Sequence, residues 1–239
     1  MREAQGAKRD ISSQSGGVRP RWSWRWAVAF LALVLVLHEM HELAHTWSGR
    51  LLCGSWGVRD FNTWSLADGC EAWVPVAMGP AFTYLVLWLG AALLLVRKRA
   101  TRLVGFAALF GANPLGRVLT VALGGGDELS VTLALGGGSE ATAGHWGWTL
   151  AVVVLICAPP LVLGWRAISG TPRRTLWFAG LLVGPTAAVV LILLIGMNGL
   201  LAAGVLSTPV ILGEPALVLL TTVVAAGALV GTGRWLVQA

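Results

Sequence analysis

Six apolar runs divide the chain, at residues 26–45, 73–96, 103–123, 146–165, 176–197 and 215–236. Each approaches the roughly 20 residues that a helix needs to cross about 30 Å of hydrocarbon. The pattern predicts an all-α polytopic membrane protein with about six transmembrane helices. One stretch departs from it. Residues 57–66 alternate loosely, with Val58, Phe61, Thr63 and Trp64, and predict a short β-hairpin or irregular loop between the first two spans.

Composition agrees with that class. The chain is 56% hydrophobic and only 12% charged, with a mean hydropathy of +0.75, and its 239 residues leave no room for a large soluble domain beside six spans. The placement of Lys and Arg then predicts orientation. All but Arg50, Arg59 and Arg117 of the 17 basic residues fall before the first span, between the second and third, between the fourth and fifth, or at the end of the last. Basic loops stay inside, so both termini are expected to be cytoplasmic, in a multi-pass protein of the plasma membrane. The net charge of +6 is explained by topology and by attraction to the anionic lipid bilayer, with no nucleic acid partner. Residues 1–25 read as a basic, disordered cytoplasmic tail ending in an interfacial anchor of Trp22, Trp24, Arg25 and Trp26. The first run ends in ionisable residues, not in a small-residue cleavage site, so no cleavable signal peptide is expected.

Acidic residues are distributed the opposite way. Apart from Glu3 and Asp10, all 11 acids and all four histidines fall at the outer ends of spans or in outer loops. Among them, His41-Glu42-Leu43-Ala44-His45 closes the first span. Positions i and i+4 share a helical face, so His41 and His45 can hold one Zn²⁺, with Glu42 beside them as a general base. A catalytic zinc takes three protein ligands and leaves a fourth position for water. Asp127 is the expected third ligand, with Glu128 and His145 as alternatives. His38 lies on the same face as a polar group lining the site, and Glu39 is rotated away, with Arg117 as a candidate partner. Asn113 sits mid-span before Pro114, which breaks the helical ladder. Cys53 and Cys70 flank the expected hairpin on the outer side, where a disulfide can form. Cys157 reads as a packing residue within the fourth span.

The zinc motif inside a span, followed by a Gly-containing segment and a hairpin, then Gly79-Pro80 in the second span and Asn113-Pro114 in the third, resembles the site-2 protease family of intramembrane zinc metalloproteases. The resemblance covers about residues 26–128, as a three-span protease core, and leaves residues 129–239 as three additional transmembrane helices. It implies zinc-dependent hydrolysis of a transmembrane or membrane-proximal protein substrate, with Glu42 as base and Asn113 contacting substrate, and an active site toward the external side. The chain departs from the family in lacking the Leu-Asp-Gly that supplies the last ligand. Two other readings stay open. His38-Glu39-Met40-His41-Glu42 superficially suits a metal-ion transporter, and a protease-like binding protein without activity would keep the same fold. A zinc hydrolase acting on lipid is a further variant. Oligomeric state is not fixed by the sequence.

Overall fold

In the computed structural model, which describes residues 18, 22–66, 70, 73–138, 140–169 and 171–238, six helical spans are long and apolar enough to cross a bilayer. Helix α1 (Trp24–Cys53) is followed by a hairpin of β1 (Val58–Arg59) and β2 (Trp64–Ser65), and α2 (Trp73–Leu94) is the second span. The third is split into α3 (Arg99–Gly111) and α4 (Pro114–Ala122), after which a short helix α5 (Asp127–Gly136) leads into α6 (Ala143–Ala167). The fifth span is α7 (Arg174–Ala188), which widens to a π-helical segment over Val189–Met197 and ends in α8 (Asn198–Ala202). A second small hairpin, β3 (Pro209–Ile211) with β4 (Glu214–Pro215), precedes α9 (Ala216–Thr232) and a closing 3₁₀ turn. Most of the basic tail, including Arg21, lies outside the described residues.

The first span runs well past its expected end at residue 45. Ser23 caps its start by accepting from the Trp26 amide at 3.2 Å, and nothing breaks the helix until Gly54, whose left-handed φ of 72° ends it. Thr46 and Ser48 extend the polar end by donating back to the carbonyls of Glu42 and Ala44. His41 therefore stands about 26 Å along the axis from Trp24, within hydrocarbon depth of that end. The third span breaks at Asn113, not merely bends. Asn113 takes φ 54° and ψ 54°, caps α4 by accepting from the Gly116 amide at 3.2 Å, and lets Pro114 open the new helix.

The hairpin forms where the alternation placed it, with Val58 opposite Ser65 and Arg59 opposite Trp64. A Cys53–Cys70 disulfide closes the loop that carries it. Its tip is driven into the bundle: Phe61 is 2% exposed, its carbonyl meets His38 Nε2 at 2.7 Å, and its amide donates to Asn198 Oδ1 at 3.2 Å. The candidate pairing of Glu39 with Arg117 does not occur. Glu39 instead accepts from Arg59, which also pairs with Glu214 at 2.7 Å, so one buried guanidinium joins the first span, the first hairpin and the second hairpin. The sequence separation of these three residues hid the arrangement, and the second hairpin had no period-two signal to announce it.

Breaking a buried ion pair from one side leaves uncompensated charge and costs about 3–5 kcal/mol. Arg59→Met, which strands two carboxylates, is expected to lower the thermal midpoint of the detergent-solubilised protein far more than Glu214→Gln, which leaves the Arg59–Glu39 pair intact. Equal midpoints for the two variants, read by tryptophan fluorescence, would show that Arg59 does not tie these elements together.

Candidate metal centre

Two helices and one tight turn build the site. His41 and His45 lie one turn apart on α1 and present Nε2 atoms 3.2 Å from each other. Asp127, the first residue of α5, brings Oδ2 to 3.2 Å from His41 Nε2 and 3.7 Å from His45 Nε2. Asp127 arrives there because Gly124 and Gly126 turn the chain after α4 with φ of 84° and 91°, values that side chains other than glycine rarely adopt. Ligand atoms about 2.0–2.2 Å from a tetrahedral zinc lie roughly 3.3 Å from one another. Two of the three separations, at 3.2 Å, match that edge length, and the third, at 3.7 Å, is somewhat longer.

Tautomers favour the same atoms. His45 Nδ1 lies 2.9 Å from the Pro75 carbonyl, which can only accept, so Nδ1 carries the proton and the Nε2 lone pair faces inward. His41 Nδ1 meets the Thr83 hydroxyl at 2.8 Å, which fixes the ring in the matching orientation. Space is provided by Gly79 on α2: a Cβ built there would collide with His45 Nε2 and lie 2.8 Å from His41 Nε2. The Gly-Pro step thus leaves an atom-sized recess against both imidazoles.

Charge points to a divalent cation. Arg117 donates to Asp127 Oδ2 at 2.9 Å, and from Nε and Nη2 to the two oxygens of Glu128, whose Oε1 also accepts from Tyr84 at 2.6 Å. Glu42 is buried beside the imidazoles, and among the described residues its Oε2 has no hydrogen-bond partner. One guanidinium against Asp127 and Glu128 leaves one formal negative charge, and Glu42 adds a second when it is ionised; in a pocket walled by apolar helices an ion of charge +2 would balance the two. Asp127 itself stands just beyond the third span. Burial acts to raise its carboxyl, but the Arg117 guanidinium, which donates to Oδ2, works against that and the carboxyl is held below the usual carboxylate range. The anion that a metal requires is the favoured form.

His41, Glu42 and Asp127 open into a cavity of about 440 Å³ between α1, α2, α3–α4 and the fifth span, whose Thr186, Val189, Val190 and Leu194 form one wall. Among the described residues His41, His45 and Asp127 are the only group of three donors able to hold a metal. Of the expected residues, His38 lines the cavity but spends Nε2 on Phe61. Glu128 is turned to Arg117 and Tyr84, and His145 is taken up in capping α6 with Thr142, so neither alternative third ligand joins the donor set. Asn113 lines the cavity too, where its Oδ1 accepts from Gly116 and, at 2.6 Å, from Thr186. No family profile, characterised protein or solved structure matches the chain. The geometry stands by itself.

Sequence reasoning passed over Thr83, the Pro75 carbonyl and Tyr84. Thr83 alone left a trace, following Gly79 by one helical turn on the same face of α2. If His41, His45 and Asp127 hold zinc, Gly79→Ala is expected to reduce it, measured by elemental analysis of purified protein, from stoichiometric to a small fraction. Gly227→Ala, at a position with open space around it, should leave the metal content unchanged.

Proposed function

We propose that the protein is an intramembrane zinc metalloprotease of site-2 protease type, cleaving transmembrane or membrane-proximal protein substrates. The observation that carries the reading is the convergence of three metal-donor atoms beside a cavity-lining Glu42, whose Oε2 has no hydrogen-bond partner among the described residues. His41, His45 and Asp127 would hold the zinc, which when bound supplies a Lewis acid that polarises a carbonyl and acidifies water. Glu42 Oε2 takes a proton from water as the water oxygen adds to the scissile carbonyl carbon. It returns that proton to the amide nitrogen as the C–N bond breaks, so the products are a carboxylic acid and an amine. His45 and His41 keep their rings fixed through Pro75 and Thr83. Asn113 holds its amide beside the cavity, where Nδ2 could donate to a substrate carbonyl.

Orientation follows from the basic loops: both termini would be cytoplasmic and the metal would face the external side. A transport reading is less well supported, because a conduction path needs a relay of donors and the described residues contain one such group.

The test uses purified wild type and Glu42→Gln with a panel of helix-destabilised transmembrane peptides in liposomes. Both proteins are expected to bind one zinc. Wild type alone should release fragments with new amino termini, identified by mass spectrometry, and Glu42→Gln should be slower by at least about 10³-fold. Cleavage at an equal rate by both proteins would overturn the mechanism.

A further inference from the structure

Arg117 holds a position that its structural role does not exhaust. Its Nε and Nη2 are committed to Glu128 and Asp127, in a planar fork that Tyr84 braces through Glu128. The third nitrogen, Nη1, has among the described residues one polar neighbour, His41 Nε2, at 3.5 Å. That neighbour is the atom proposed to bind the metal. Once the His41 lone pair is so used, Nη1 has no acceptor, although it belongs to a side chain only 15% exposed and lines the cavity beside Asp127. A buried guanidinium N–H without an acceptor is unfavourable, and it gains most from an oxygen that carries negative charge.

We infer that Arg117 Nη1 is a hydrogen-bond donor to the carbonyl oxygen of the bound peptide, strengthening as that oxygen becomes anionic when water adds to the carbonyl carbon. The inference rests on the metalloprotease reading and adds a residue to it. No electrons or protons pass through Arg117: it keeps its proton throughout, while the proton from water travels by Glu42. Lysine cannot replace it fully, because a single nitrogen cannot hold Glu128 and Asp127 and still reach the cavity. Such a fixed donor acts in a water-poor pocket, where preorganised hydrogen bonds to a developing oxyanion have their greatest effect.

The test compares two zinc-binding probes on the full-length protein: a tripeptide-length phosphinate, whose tetrahedral phosphorus carries a second anionic oxygen, and a thiol of the same side chains, which offers sulfur alone. Binding is read by calorimetry, so activity is not required. The charge-balanced double variant Arg117→Met/Glu128→Gln removes the donor together with one carboxylate and leaves Asp127 in place. Zinc should remain stoichiometric, phosphinate affinity should fall by roughly tenfold to a hundredfold, and thiol affinity should change by less than about twofold. Arg117→Lys, which keeps the charge should the double variant fail to fold, should show the same selective loss to a smaller degree. Equal changes for the two probes, or loss of zinc from the variants, would overturn the inference, the latter by showing that Arg117 acts only through Asp127. Wild type that binds no zinc would instead sink the metalloprotease reading, so the two failures are separable.

Discussion

Ionisable groups buried among apolar helices must find partners, and the way this bundle supplies them sets the position of everything else. Two arginines do most of it. Arg59 faces Glu39 and Glu214, while Arg117 faces Asp127 and Glu128. Each cation meets two carboxylates: those around Arg59 come from segments far apart in sequence, whereas those around Arg117 are adjacent residues at the start of α5. Arg59 joins both hairpins to the first span, and Arg117 joins the third span to the short helix that follows it. The site is built from the second cluster, because Asp127 is shared between Arg117 and the imidazoles of the first span.

The same constraint gives each of the three donor side chains a partner that holds it in place. His45 is fixed by a carbonyl of α2, His41 by a hydroxyl one helix away, and Asp127 by a guanidinium, so none of the three donors has to be gathered from solvent. Preorganisation of this kind concentrates ligand oxygen and nitrogen at one point and reduces the ordering that binding would otherwise demand. Gly79 completes it by leaving the recess open. The fifth span contributes no metal donor, yet Thr186 and the π-helical residues Val189, Val190 and Leu194 wall the cavity, so this span belongs to the site. The boundary drawn at residue 129 from sequence falls inside α5.

Much of this was legible in the chain because membrane insertion imposes simple periods. Span number follows from apolar length, the hairpin from alternation between Gly57 and Leu66, and the His41–His45 pair from helical spacing. Asp127 was reachable by elimination, since few acids lie at the right end of a span. What stayed hidden depends on chain reversals. Glu39 looked toward Arg117 in the absence of any way to see Arg59 swing back against the first span, or Glu214 return from the far end of the chain. Asn113 was readable as a break but not as the acceptor for Thr186, which comes from a span with no motif at all. Helix ends were under-read for a related reason: Thr46 and Ser48 look like loop residues until their hydroxyls are seen to fold back on the helix.

The hairpin edge can be weighed as a peptide-binding element. Strand β2 comprises two residues, Trp64 and Ser65, and β1 lies between it and the second hairpin, so a peptide added along β2 would gain two or three main-chain hydrogen bonds. At a net 0.5–1.5 kcal/mol each, these contribute on the order of 1–4 kcal/mol. Unwinding one turn of a substrate helix in hydrocarbon frees several backbone groups at a few kcal/mol apiece. Strand addition by itself therefore falls short of the unwinding it must accompany. On the proposed function the balance would come from where the extended segment can satisfy its carbonyls, and the cavity beside His41 presents polar groups suited to that: the Asn113 amide and Arg117 Nη1, to which a metal held by the histidines would add. On the proposed protease reading, a substrate would be held extended chiefly by the chemistry of the site, and the hairpin, pinned at Phe61 by His38 and Asn198, would set the direction from which the chain enters.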